Sequence, residues 1–103
     1  MRRLAAAISL SCLVVSCSLG APSEDASGEE IYTQLCARCH GADLDGGIGP
    51  ALGPGSASAD ESDDFLEFTI MNGRGRMPSF SSSLDDDQLD RLVTYMREVQ
   101  DDA

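Results

Sequence analysis

Five residues constrain this chain of 103 more than any others: Cys36-Ala37-Arg38-Cys39-His40. Two thiols sit three positions apart, and an imidazole follows at once. His40 is the one histidine in the sequence. The other two cysteines, Cys12 and Cys17, belong to a different kind of segment. Met1 to Gly20 reads MRRLAAAISLSCLVVSCSLG, with Arg2 and Arg3 at the start and an uncharged apolar run from Leu4 to Val15. That is the pattern of an export signal. The run is short of the ~20 apolar residues that span a bilayer, so a transmembrane anchor is the weaker reading.

The end of the signal is informative. Val14-Val15-Ser16 ahead of Cys17 resembles a bacterial lipobox, which implies that Cys17 becomes lipidated and N-terminal. Ordinary cleavage near Gly20 or Ala21 is the alternative. Ser18 after the cysteine resembles lipoproteins sorted onward to an outer membrane. The chain is therefore read as a lipoprotein-type signal peptide over 1–16, a flexible tether over 17–26 and one folded domain over 27–103. Cys36 and Cys39 are then the only cysteines of that domain, too few for a disulfide framework. A domain this small needs some other staple. Tryptophan is absent and aromatics are scarce, so a large apolar cofactor would supply missing core mass.

The formal net charge is −11, with no lysine, and loss of Arg2 and Arg3 would make it two more negative. Such a surface repels nucleic acid.

Helical patterning dominates the domain. Ser27 and Glu30 form a capping-box pair, and Ile31, Leu35, Cys36 and Cys39 continue at helical spacing, predicting a helix over Gly28–Cys39 that stops near Gly41. Ala42–Ala59, rich in Gly and Pro, predicts a loop. Within it Asp43-Leu44-Asp45-Gly46 lacks the later ligands of a calcium loop and reads as a turn. A second helix is predicted over Glu61–Asn72, capped by Asp60 or Ser62 and ended by Gly73, with Phe65, Phe68 or Thr69, and Ile70 sharing a face. Leu84, Asp85 and Gln88 open a third, over Asp86–Gln100, carrying the stripe Leu89, Leu92, Val93, Met96 and Val99. The fold class is all-α: three to four helices with long loops that must wrap something.

Three chemistries compete for CARCH. A redox dithiol needs a βαβ setting, and no alternating strand pattern is present. Structural zinc needs four ligands, and only Cys36, Cys39 and His40 are available once the signal is removed. Covalent haem accounts for the spacing best. Two thioethers on one helical turn reach neighbouring edges of a porphyrin, and the next residue places an imidazole under the iron. The opposite axial ligand must then be a methionine, for there is no other histidine and no lysine. Met96 lies on the core stripe and Met71 in the last turn of a helix. Met77 sits in the loop Gly73-Arg74-Gly75-Arg76-Met77-Pro78 and is the preferred ligand, with Met71 and Met96 as the alternatives.

These residues together resemble the small monohaem class I c-type cytochromes. The resemblance covers about Ser27 to Gln100. It rests on Gly28-x-x-x-Tyr32-x-x-x-Cys36-x-x-Cys39-His40-Gly41, then Gly49-Pro50-x-Leu52, then Met77-Pro78, then a closing helix with Tyr95. It implies the cytochrome c fold around one haem c, held through Cys36 and Cys39, with His40 and Met77 on the iron. It further implies that Pro50 accepts the His40 Nδ1 proton, that the outer helices cross near Gly28, Tyr32 and Tyr95, and that Leu52, Phe80, Ile48 and Met96 wall the pocket. The lysine ring of some eukaryotic relatives is missing, so their docking mode does not transfer.

The function implied is one-electron transfer, not enzymatic turnover, in an exported, membrane-tethered respiratory or photosynthetic-type chain. Partners would be membrane oxidases, reductases or dehydrogenases, with no nucleic acid and no small-molecule substrate. The location would be the periplasmic side of a bacterial membrane, lipid-anchored or soluble. The alternatives are a haem sensor or peroxide-reactive protein, if Met77 dissociates, and a haem subunit of a larger membrane oxidoreductase. Arg74 and Arg76 are candidates for partner docking or for pairing with a haem propionate.

Overall fold

A computed structural model describes residues 20–102. The signal segment and Cys17 lie outside the described residues. Four α-helices follow in order: α1 (Gly28–Leu35), α2 (Ala37–His40), α3 (Asp63–Asn72) and α4 (Asp86–Asp101), with a 3-10 turn at Ala57–Asp60. There is no named strand among the described residues, only an isolated antiparallel bridge between Arg74 and Met77. No helix among them is long and apolar enough to cross a membrane.

The helix starts follow local chemistry. Ser27 Oγ accepts from the Glu30 amide at 3.1 Å, and Ser62 Oγ from the Phe65 amide at 3.1 Å. At α4 the box is reciprocal: Asp85 Oδ1 accepts from the Gln88 amide at 2.7 Å, and Gln88 Oε1 from the Asp85 amide at 2.8 Å. Each pairing satisfies amides that have no partner within the helix. Asp86 and Asp87 add charge that suits the positive end of the helix dipole.

α1 packs chiefly on α4. Gly28 makes that crossing close. A Cβ there would fall inside contact distance of the Arg91 carbonyl oxygen and 2.7 Å from the Tyr95 Cβ. One turn on, the Tyr32 and Tyr95 rings lie 5.7 Å apart, tilted by 54°. Ile31, Tyr32, Leu44 and Leu92 are the fully buried side chains at the centre, and each such aliphatic stabilises the fold by roughly 1.5–3 kcal/mol relative to exposure.

Two expectations change. The first helix is not continuous: Cys36, at φ −113°, separates α1 from the single turn of α2. On α3 the buried positions are Leu66 and Ile70, while Phe65 and Phe68 are exposed, so the apolar face is rotated from the one expected. Residues 22–26, part of the stretch read as a tether, pack against α4. Pro22 and Ala26 are buried. Gln88 Nε2 donates to the carbonyls of Pro22 and Ser23, and Arg91 donates to those of Glu24 and Ala26. These bonds fix residues 22–26 to α4, because the amide and guanidinium each offer several donors to the carbonyls of the passing chain.

Candidate haem-binding site

The CARCH turn is held on all sides by its own chain. The His40 amide bonds to the Cys36 carbonyl at 3.0 Å, and the Gly41 amide to that of Ala37 at 2.9 Å. The Tyr32 hydroxyl donates to the Gly41 carbonyl at 2.6 Å. The following loop folds back over the turn. Gly46 N donates to the His40 carbonyl at 2.8 Å, and Gly49 N to that of Cys39 at 2.7 Å.

His40 is nearly buried. Its Nδ1 lies 2.8 Å from the Pro50 carbonyl oxygen. A carbonyl only accepts, so Nδ1 carries the proton and Nε2 keeps its lone pair for a metal. The ring fits because position 49 is glycine: a Cβ there would lie 2.9 Å from His40 Cε1 and 3.0 Å from Nδ1. Among the described residues His40 makes no second side-chain hydrogen bond, and no buried polar side-chain atom lacks a partner. Nε2 is therefore open to an incoming group.

Cys36 and Cys39 are free thiols. Burial, with a contribution from Cys39, pushes the Cys36 thiol up to about 12. A redox dithiol needs a readily formed thiolate, so this cysteine is unsuited to disulfide exchange. Nor do the described residues contain any group of three or more His, Cys, Asp or Glu that could hold a metal ion. Of the three readings of CARCH, the zinc cage and the redox pair both lose support.

The Met77 loop is a compact unit on α3. Arg74 and Met77 exchange backbone hydrogen bonds at 3.1 and 2.9 Å across Gly75. Phe80 N donates to the Ile70 carbonyl at 3.0 Å, and Ser79 Oγ donates to that of Met71. Met77, Met71, Leu52 and Phe80 are half-buried and pack against the main apolar cluster, of which Cys36 and Met96 are members. Met96 is 3% exposed within that cluster. Ile48 stands apart, 80% exposed. The structure brings Cys36, Cys39, His40 and Pro50 together directly. Met77 borders the same cluster without a hydrogen bond to the CARCH turn.

Two contributions to the site were not legible in the sequence. Tyr32 was expected at the helix crossing, and its hydroxyl also anchors Gly41, nine residues on. Leu44 sits in the glycine-rich loop with φ +60°, yet its side chain is fully buried and its carbonyl accepts from Leu52 and Gly53. Burial of one leucine offsets a left-handed conformation that costs about 1–2 kcal/mol. An isolated leucine between two aspartates was the only signal of it.

The donor set fits a c-type haem: two unpaired thiols on one turn, an imidazole with its Nδ1 proton committed, and a thioether in a glycine loop. Comparison with known proteins points the same way. The family model described as cytochrome C oxidase, cbb3-type, subunit III matches residues 23–96. Dihydro-heme d1 dehydrogenase of Pseudomonas aeruginosa is 40% identical over 88 residues, 82% of this chain and 18% of that protein. Cytochrome c-551 of Bacillus subtilis is 39% identical over 71 residues, 69% of this chain and 60% of that one. The crystal structure of cytochrome cL from Hyphomicrobium denitrificans matches with a TM-score of 0.65 at 33% identity, over 71% of this chain and 45% of its own. The chain spans less than two thirds of each of these three.

Proposed function

The chain belongs to the cytochrome c family and has its fold, and from that premise we propose that it is a one-electron carrier with a single His/Met-ligated haem c. The observation that carries this reading is the Nδ1–Pro50 bond of His40, which leaves Nε2 to a metal beside two free thiols. Cys36 and Cys39 would hold the group covalently, and His40 and Met77 would be its axial ligands. When bound, the haem supplies an iron that exchanges one electron, and a thioether ligand favours its reduced state.

The protein's own part is positional. Pro50 fixes the imidazole tautomer and Gly49 gives the ring its room. The Arg74–Met77 bridge holds the loop from which the thioether projects. With both axial ligands supplied by side chains, no position is left for a substrate, which favours a carrier over an enzyme. Partners would be redox proteins such as membrane oxidases, reductases or dehydrogenases. An export signal and a lipid at Cys17 would place the domain on the periplasmic side of a membrane. Tethering would raise its effective concentration near membrane partners. A second reading, a haem unit working within a larger oxidoreductase, draws on the match to a dehydrogenase of which this chain spans only 18%.

Expression with a c-type maturation system, followed by intact mass and absorption spectra, tests the proposal. The expected mass includes one covalent haem and, in the membrane fraction, a lipid on Cys17. In Met77→Ala the methionine–iron band should vanish and added small ligands should bind. Survival of the band would move the assignment to Met71 or Met96.

A further inference from the structure

Two glutamines of α4 are buried, Gln88 and Gln100. A buried amide is costly unless its hydrogen bonds are met. Gln88 completes the cap of α4 and holds Pro22 and Ser23. Gln100 lies about 18 Å further along the helix, and it serves the loop between α2 and α3. Its Nε2 donates to the Leu52 carbonyl at 2.9 Å and lies 3.4 Å from Ser58 Oγ. Its Oε1 accepts from Arg97 Nη1 at 2.7 Å. A guanidinium only donates, so Arg97 fixes which end of the amide faces the loop. Arg97 is held in turn by Asp63 at 2.8 Å and by the carbonyls of Ser58 and Glu61.

Leu52 stands two residues beyond Pro50, whose carbonyl takes the His40 Nδ1 proton. Pro50 lies between two anchors. On one side Gly49 N donates to the Cys39 carbonyl at 2.7 Å, a bond local to the CARCH turn. On the other the Leu52 peptide is held at both ends. Its amide donates to the Leu44 carbonyl at 2.9 Å, and its carbonyl accepts from Gln100. No other donor reaches the Leu52 carbonyl among the described residues. Proline has no amide hydrogen of its own. The direction of the Pro50 carbonyl therefore depends on where these anchors put the chain.

We infer that Gln100, oriented by Arg97, is a positioning residue for the His40 ligand: it fixes Leu52 and thereby aims the Pro50 carbonyl at Nδ1. This rests on the carrier reading above and names the part of α4 that governs the imidazole. A carbonyl well aimed at Nδ1–H raises the basicity of the ring. A more basic ligand favours the oxidised metal, so poorer aim raises the midpoint potential. It also leaves the Nδ1 proton freer to exchange with water.

The test compares Gln100→Met with the parent, both as the haem-loaded full chain. Methionine keeps the length of the side chain and removes its donor. Exchange of the His40 Nδ1 proton is followed by NMR, and the midpoint potential and Tm are measured alongside. Exchange in Gln100→Met should quicken several-fold and the potential should rise. Arg97→Met, which frees the Gln100 amide to turn, should move both readings the same way. Gln88→Met is the matched control, since it also releases a passing segment from α4. It should lower Tm and leave proton exchange and potential at the parent values. A Gln100→Met chain that melts lower but keeps the parent exchange rate and potential would overturn the inference, leaving Gln100 a structural tie only. So would a Gln88→Met chain that moves both readings as far, since general loosening would then explain them. Should Gln100→Met fail to load while the parent loads, Arg97→Met reads the same two quantities, and parent values there would overturn the inference. Failure of the parent itself to take up covalent haem would instead remove the carrier reading.

Discussion

Pro50 and Gly49 act on His40 from ten and nine residues away, and Tyr32 acts on the same turn from the other side. The Tyr32 hydroxyl is buried and donates to the Gly41 carbonyl. Burial, with smaller contributions from Cys36 and Tyr95, raises its pKa above the ordinary tyrosine value near 10. Below about pH 10 the phenol is neutral in both folded and unfolded chains. Above it the unfolded chain releases the proton and the folded chain retains it, so stability falls as pH rises from there. Tyr32→Phe should lower stability at neutral pH by about 1 kcal/mol, the usual worth of a hydrogen bond. It should also flatten the decline of Tm between about pH 9.5 and 11. Some slope will remain, because burial raises Tyr95 too. An equally steep decline in the variant would count against the buried hydroxyl as its source.

Elements show where local chemistry suffices and where it does not. The N-caps at Ser27, Ser62 and Asp85 use side chains within three residues of their targets, and all are legible in the sequence. The break at Cys36 is not, since the helical stripe runs through it unbroken. The face of α3 was equally ambiguous: a ten-residue helix with Phe65, Leu66, Phe68 and Ile70 offers two stripes, and packing against α4 selects Leu66 and Ile70. Gly28 belongs to this scale because it sets the separation of α1 and α4. Gly28→Ala would press a methyl group into the Arg91 carbonyl and Tyr95. The expected loss is at least the 1–3 kcal/mol typical of overpacking, read as a lower Tm of the haem-loaded protein. Unchanged melting would mean that the helices can part at no cost.

Across the whole molecule, negative charge is far more abundant than its compensation. The chain carries 18 acids against 7 arginines, and the described residues show one ion pair, Arg97–Asp63. Mutual repulsion then opposes compaction. Raising salt from about 0.01 to 0.15 M shortens the Debye length from about 30 to about 8 Å, and Tm should rise by a few degrees. A fall instead would mean that attractive pairs dominate. The attachment of residues 22–26 to α4 also has a consequence at this scale. If Cys17 carries lipid, only Ser18 to Ala21 separate it from Pro22, a reach of about 18 Å at full extension. The domain would then stay close to its membrane rather than range freely from it.

The chemical inventory was determined by the sequence alone: two thiols and an imidazole on one turn, no other histidine, a methionine in a glycine loop, and capped amphipathic helices. All of these are relations between near neighbours along the chain, where spacing and side-chain type suffice. Tertiary structure decided which His40 nitrogen is committed, by bringing Pro50 to Nδ1. It also decided which arginines are engaged within the fold, by turning Arg91 and Arg97 onto carbonyls 36 or more positions away. A hydrogen-bond donor takes whatever acceptor the returning chain presents, and nothing in its own neighbourhood specifies what that will be.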